Sequence, residues 1–427
     1  MNVDTFLLVL ALHWEWYILA LFLSIAALVP VYKGFTLTWY DPLRYSVVFA
    51  MFANAVPLFL YFTQNMTTEH FCYFILSEGL FWLGIVSLGK KRATFSRHTI
   101  KYSDRIGFYV FIVIAALYFL FTLVTYATIG IPILMDSSRL SVYAGTGGLG
   151  ILARFNTGFS IYTMFYSFYL LHKRKYRPLA YIVLACCIFF LIATASKFAF
   201  LNILFAYWGF KFFYLQELPR SGKTLIYLLV GIIAAVVVLL VQTAGLGGNL
   251  QTAVIGLAVR FAAFGDCYFY AYPDNVLSVV EVQNSWVQIF AGLLKPLRLI
   301  ADEDVASIGN QLAWYVTPSS VGENLGPNAR IPILSYIAFG WWGLLFSYLC
   351  GLFLAFMLFR LPLLLPKGII SAAFFTYLYI TLNSSITDFS LGISYWFDFV
   401  LNFGFILGLM FLFSRQLTLN HTSAQPL

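Results

Sequence analysis

Three arginines in this chain sit where charge is expensive. Arg139 follows a Gly130-Ile131-Pro132 turn, Arg260 lies within VRFAAFGDCYFY, and Arg330 closes GPNARIP just before an apolar run. In the middle of a membrane helix an arginine costs roughly 2.5–3.5 kcal/mol unless it is paired or near water. Two roles fit such residues. One is an ion pair inside the molecule, Arg260 with Asp266 or Arg330 with Glu323. The other is an oxyanion clamp, because a guanidinium fork holds phosphate at two points and keeps its charge. Lys197, in ATASKFAFL, is a fourth cation in the same setting.

Acids that could take a proton on the same side are Asp136, Asp266, Asp274, Glu281 and Glu323. A general base needs proximity to the proton it removes and a raised pKa. Glu323 is best placed, seven residues before Arg330 in TPSSVGENLGPNAR, whose Pro and Gly content implies a turn-rich path. Glu323 and Asp266 are therefore the candidate catalytic carboxylates. Asn383, Ser384, Thr387 and Asp388, with Tyr395 and Asp398 beyond them, make the ends of two late apolar runs polar. They line a cavity for a polar ligand or hydrogen-bond between helices.

Other motifs fail on inspection. Ser221-Gly222-Lys223-Thr224 resembles the end of a phosphate-binding loop, but Glu217 stands where the first glycine belongs, so the backbone cradle is missing. Asp302, Glu303 and Asp304 are the residue types that hold a divalent cation, although three adjacent carboxylates more often form a solvated turn. Gly145, Gly147, Gly148 and Gly150 make the segment after Arg139 pliable, which is commonly no more than a flexible turn. Cysteines at 72, 186, 187, 267 and 350 have no ligand spacing, and the five histidines form no cluster. Neither a metal nor another cofactor is expected.

The elements that must position these residues are membrane helices. Of 427 residues, 61% are hydrophobic and only 10% charged, which leaves too little polar surface for a soluble chain. The apolar residues fall into runs of about 20, the span of a bilayer core, without the alternation of a barrel strand. Runs near 14–32, 43–63, 70–89, 106–130, 152–171, 178–196, 198–215, 225–244, 333–359, 368–388 and 391–414 predict an all-α polytopic membrane protein with about eleven transmembrane helices. Residues 1–427 form one transmembrane domain in this reading. Asp4 precedes the first apolar stretch and no Lys or Arg occurs before Lys33, so that stretch is expected to be retained rather than cleaved.

Orientation follows from the basic residues, which collect in cytoplasmic loops. Lys33, the cluster from Lys90 to Arg105, the Lys173–Arg177 turn, Arg360 and Lys367 fall on one side, while most acids fall on the other. The N-terminus is then outside and the C-terminus inside. The net charge of +8 belongs beside anionic headgroups and needs no nucleic acid. Two outer loops are too long for simple turns: 131–151, and 245–331. In the second, Trp286, Ile289, Phe290, Leu293, Leu294, Leu297 and Ile300 recur at helical spacing, with Gln288, Lys295 and Arg298 off the stripe. That pattern predicts an amphipathic helix, lying on the interface or packed on the bundle as a lid.

Several of these segments together carry a resemblance. Asp41-Pro42 followed by RYSVVFAMFANAVPLFLYF, the GIP turn before Arg139, ATASKFAFL around Lys197, and a large outer loop closing on GPNARIPILSYIAFGWWG resemble, in order, the Wzy-type O-antigen polymerases. These are the oligosaccharide repeat-unit polymerases, and the likeness runs through most of the chain. It implies a C-type glycosyltransferase of the bacterial inner membrane that acts at the periplasmic face. Such an enzyme moves a growing glycan from undecaprenyl diphosphate to the non-reducing end of a new lipid-linked repeat unit. Arg139, Arg260, Arg330 and Lys197 would then bind the diphosphate and stabilise its charge as it leaves. The partners implied are undecaprenyl diphosphate-linked oligosaccharides, membrane lipids and a polysaccharide chain-length regulator. Trp286, Trp314, Tyr315 and the series Tyr268, Tyr270, Tyr272 are suited to stacking on sugar faces. The family has no sharp catalytic motif, so Glu323 and Asp266 rest on the residue-level reading alone.

Two alternatives stand beside this one. An O-antigen ligase uses the same donor with a different acceptor, at similar length and topology. A flippase or carrier for lipid-linked oligosaccharide would predict internal repeats and charges at the bilayer midplane, whereas no clear repeat is found and Glu78 and Asp398 are the only acids deep in the expected spans.

Overall fold

A computed structural model describes residues 1–35, 41–88, 104–134, 150–194, 199–217, 263–280, 282, 284–301, 305–321, 326–365 and 367–422. Every described element is helical. In chain order they are α1 (Val3–Leu12), α2 (Trp14–Phe35), α3 (Pro42–Phe62), α4 (Thr68–Leu88), α5 (Asp104–Ile129), α6 (Gly150–His172), α7 (Arg177–Ala193) and α8 (Ala199–Gly209). There follow α9 (Asp266–Ala271), α10 (Ser285–Leu294), α11 (Ile308–Val316), α12 (Ile331–Phe339), α13 (Gly343–Ala355), α14 (Ile369–Leu382) and α15 (Phe389–Thr422).

Among the described residues, seven stretches are long and apolar enough to cross a membrane: Trp14–Val31, Pro42–Phe62, Thr68–Leu88, Arg105–Leu134, Ile331–Leu364, Ile369–Ile386 and Phe389–Arg415. Their outward surfaces are apolar, with Phe22 67%, Leu120 53% and Phe411 66% exposed, an arrangement that only lipid tails make favourable. The run expected at 152–171 folds as α6, which is less apolar than these seven. The run at 178–196 folds as α7, of 17 residues, and that at 198–215 as α8 continued by a π-helical turn, Phe210–Tyr214. The run at 225–244 lies outside the described residues.

Local sequence explains where these helices begin and break. Asp41 caps α3 by accepting the Leu43 N–H at 2.9 Å, and Pro42 occupies the first turn, where its missing N–H costs nothing. The run near 333–359 is interrupted at Gly340, whose φ of 55° ends α12 before α13 restarts.

The chain divides into two compact units. The first comprises Met1–Ala93, Ser221–Leu361 and Ile380–Ser394; the second comprises Thr94–Arg220, Pro362–Tyr379 and Tyr395–Leu427. In the first, α4 packs closely on α12 and α13 through small residues. A Cβ on Gly84 would meet the Tyr348 carbonyl, and one on Gly351 the Phe81 carbonyl. Beside that seam Ser77 and Ser347 hydroxyls stand 2.8 Å apart, and the Tyr73 hydroxyl is 2.9 Å from Ser335 Oγ. Such hydroxyl contacts are how membrane helices are fastened where lipid removes the hydrophobic drive.

The described part of 245–331 consists of short helices, α9 to α11, linked by turns. Helix α10 forms where the apolar spacing predicted one, although its buried face is displaced from the expected stripe. Gln288, Ile289 and Ala291 are buried, whereas Trp286 is 57% exposed and Leu297 48%. Gln288 can be interior because its Nε2 donates to the Ala306 carbonyl at 3.1 Å, and the Ser390 hydroxyl donates to the Ile289 carbonyl at 3.0 Å. The helix therefore packs on one side as a lid does and keeps apolar groups exposed on the other.

In the second unit, α6 packs on α5 and α7, and Phe121, Phe155, Phe159 and Phe405 form an aromatic column. Arg154 and Asp398 form a direct ion pair there, and Asn402 donates to the Arg154 carbonyl at 2.9 Å.

Candidate functional site

Among the described residues of the first unit, one arginine is almost wholly buried. Arg330 is 2% exposed and stands at the N-cap of α12, in extended backbone with φ −66° and ψ 158°. Two close backbone approaches hold its segment. Gly309, in α11, touches Pro327, and Gly326 touches Gly309, so neither position has room for a Cβ. The Gly326 N–H also donates to Asn310 Oδ1 at 2.9 Å. GPNAR is thus clamped to α11, and Pro332 then commits the chain to α12.

Arg330 Nε donates to the Phe264 carbonyl at 3.1 Å. That carbonyl belongs to the turn Ala263–Gly265, which lies against α3. A Cβ on Gly265 would come 2.6 Å from the Ala53 carbonyl, and the Phe264 ring stacks on Phe49 at 4.4 Å. Among the described residues, Arg330 Nη2 is buried and has no hydrogen-bond partner, and Arg330 forms no ion pair with a carboxylate. Leaving a buried donor unmet costs on the order of 1–3 kcal/mol, more for a charged group.

Three carboxylates feel this cation without touching it. Asp266 opens α9 and accepts the Cys267 N–H at 2.8 Å. Asp388 precedes α15 and accepts the Leu391 N–H at 3.0 Å, together with the N–H groups of Ser390 and Ala329. The third is Glu78, in α4. It accepts from Trp82 Nε1 at 2.8 Å and from the Tyr268 hydroxyl at 3.4 Å, and the Asn54 side chain hydrogen-bonds to it as well.

Asp266 and Asp388 lie outside the seven spans. Burial pushes each up from 3.8 to about 6. For Asp266 the rise is opposed first by the Cys267 amide and then by Arg330; for Asp388 it is opposed first by the backbone amides and then by Arg330. Two carboxyl groups held near neutrality beside a fixed cation can exchange a proton and balance a negative charge in the same place.

Aromatic rings enclose the cluster. Tyr268 and Tyr272 lie parallel at 5.7 Å, and His70 sits 5.8 Å from Tyr272 and 5.3 Å from Tyr336. Burial pushes both tyrosine hydroxyls well above their ordinary range, so they stay neutral donors. The Tyr272 hydroxyl, His70 Nδ1 and Asn54 Oδ1 are buried without a partner among the described residues, as Arg330 Nη2 is. Four unmet polar groups in one neighbourhood suit a polar ligand better than a finished core.

The site thus brings together Asp266 and Arg330, both expected from sequence. Arg139, Lys197, Arg260 and Glu323 lie outside the described residues, as do Asp302, Glu303 and Asp304. Asp388 was expected only as a polar helix end and Glu78 only as an acid in a span; their signal was a carboxylate in apolar sequence with no cation near it in the chain. Trp286 stands 5.3 Å from Phe339, and Tyr315 is 49% exposed, so neither is enclosed with Arg330. Among the described residues no group of three His, Cys, Asp or Glu is placed to hold a metal ion.

No family model matches the chain, and neither a curated protein nor a solved structure matches it. Fold and site together define a class, a polytopic helical membrane protein with a buried cation among carboxylates.

Proposed function

We propose that the chain is a repeat-unit polymerase of the Wzy type. It is a glycosyltransferase that transfers a growing glycan from undecaprenyl diphosphate to a new lipid-linked repeat unit. The observation that carries this reading is the unpartnered, buried Nη2 of Arg330 beside Asp266 and Asp388, both held near pH 6. A diphosphate supplies the acceptor oxygens that Nη2 lacks. The departing diphosphate gains charge in the transition state, where a preorganised cation is most effective. One carboxylate removes the proton from the attacking sugar hydroxyl while the other stays protonated. Tyr268 and Tyr272 supply flat apolar faces and a hydroxyl to the sugar.

In this reading about eleven helices cross the bacterial inner membrane, with the N-terminus and the loops 131–151 and 245–331 periplasmic and the C-terminus cytoplasmic. Arg139, Arg260 and Lys197 add to the diphosphate clamp, Glu323 joins Asp266 as a candidate base, and a chain-length regulator is the protein partner. A second reading, a carrier for lipid-linked oligosaccharide, draws support from the Arg154–Asp398 pair, since Asp398 lies inside a span.

Deletion of the gene, with and without complementation, separates these readings. If the chain is a polymerase, its deletion leaves the surface core with a single repeat unit, and complementation restores the ladder. Loss of every repeat from the core refutes the polymerase in favour of a ligase or a carrier. Long chains accumulating on the lipid carrier then single out the ligase.

A further inference from the structure

The second unit holds a cavity of about 680 Å³ far along the chain from the Arg330 cluster. Its walls are the first turn of α5, with Arg105, Phe108 and Tyr109; the last turns of α6, with Tyr166, Tyr169 and Leu170; and Lys175 and Tyr176 from the connection to α7. Two cations and four tyrosines face it, and no acid is among its described lining residues.

The chain builds these walls at some local cost. Arg174 and Tyr176 have φ of 57° and 50°, left-handed values that disfavour side chains as large as theirs. The strained Tyr176 is 58% exposed, yet its ring stacks on Phe108 at 4.4 Å. Arg105 is fixed from the other side. Its Nε donates to the Tyr109 hydroxyl at 3.2 Å, and its guanidinium lies 5.8 Å from that ring. A loop free to relax would have no reason to keep a tyrosine in left-handed backbone. Here the turn brings Lys175 and Tyr176 to the same cavity as Arg105, which stays open to an incoming ligand.

We propose that this cavity binds a phosphate-bearing anion, with Arg105 and Lys175 on the phosphate and the rings of Tyr169 and Tyr176 against its organic part. Arg105 opens a membrane-length stretch and Lys175 lies between two helices, so the cavity is at the end of the helices, where lipid headgroups lie. An anionic phospholipid headgroup and a soluble phosphate ester share this chemistry. The volume falls in the range of small-ligand sites and far exceeds that of a bare phosphate.

The test uses full-length protein in a neutral detergent. Native mass spectrometry follows the binding of phosphatidylglycerol, with phosphatidylcholine as the zwitterionic control, and calorimetry follows glycerol 3-phosphate. Two variants carry the same change in charge: Arg105→Gln/Lys175→Gln removes both cations of the cavity, and Arg174→Gln/Arg177→Gln removes two neighbours that do not line it. The proposal expects one of the two anions to bind at least about tenfold more weakly to the first variant and within twofold of the parent to the second, the loss of even one charged contact being worth about tenfold. Which anion does so identifies the source. A Tyr176→Ala variant, which keeps both cations, should also weaken that anion several-fold. Equal losses in both charge variants, or binding of neither anion, would overturn the proposal.

Discussion

Replacing Arg330 by Gln tests the coupling at the centre of the proposed site, and its cost should depend on pH. The change removes the donor to the Phe264 carbonyl and the cation that opposes the rise of Asp266 and Asp388. Each carboxyl is raised from 3.8 to about 6, so the folded state binds protons more tightly than the unfolded state does. The favourable contribution of each is complete below pH 3.8 and is lost as pH rises through 6. The raise of about 2.2 units corresponds to roughly 3 kcal/mol per group above pH 7.

An opposite charge in close range lowers a carboxyl by about 1–3 units; with no direct ion pair here, and with the backbone amides opposing each rise more than Arg330 does, about one unit is the upper bound. Loss of Arg330 then lifts each carboxyl by up to about one further unit, which adds up to about 1.4 kcal/mol apiece at pH 8. At pH 5 both groups are already mostly protonated in the folded state, so that addition nearly vanishes. What remains is the lost hydrogen bond, about 1–2 kcal/mol, common to both conditions. Arg330→Gln is therefore more damaging at pH 8 than at pH 5, by up to about 2–3 kcal/mol. Unfolding midpoints of parent and variant in the same detergent, followed by tryptophan fluorescence at both pH values, measure the difference. A cost independent of pH would refute the coupling of Arg330 to these carboxyls.

Two further substitutions examine the neighbouring groups. Asp388→Asn keeps an acceptor for the amides at the start of α15 and should leave stability within about 1 kcal/mol at pH 5, where Asp388 is mostly protonated, whereas Asp388→Ala costs about 1–2 kcal/mol there; in a polymerisation assay the Asn variant should lose the limb of the pH–rate profile near 6, and an unchanged limb assigns it to another group. In the second unit, Arg154→Gln leaves Asp398 without its cation and should cost about 2–3 kcal/mol, at the low end for such pairs because the Arg154 side chain keeps 27% exposure. A double-mutant cycle with Asp398→Asn should then give at least about 1 kcal/mol of coupling, and a value near zero would mean that the pair contributes nothing.

The spans were legible because a bilayer imposes one length and one polarity on each helix, and seven of the expected runs meet both criteria. Helix α6 was legible as a run at 152–171 and yet is less apolar, because serines, threonines and tyrosines fill its buried side. The site was half legible. Arg330 and Asp266 declare themselves as charges in apolar sequence. The convergence of Asp388 and Glu78 on Arg330 depends on contacts more than 50 residues apart in one case and about 250 in the other, and no local period encodes these. Gln288 shows the opposite limit: its polarity assigned it to the outer face, and a single carbonyl of Ala306 reversed that.

The seam between α4 and α13 has a consequence for how the protein is made. Gly84 and Gly351 meet backbone to backbone, and Ser77 finds its hydroxyl partner on Ser347. Synthesis at ~5–20 residues per second puts roughly 13–50 s between the end of α4 and the start of α13. During that interval α4 stands in the membrane with Ser77 and Glu78 lacking their later partners, Ser347 and Tyr268. A temporary helix neighbour that shelters these polar groups would stabilise α4 until its partner emerges.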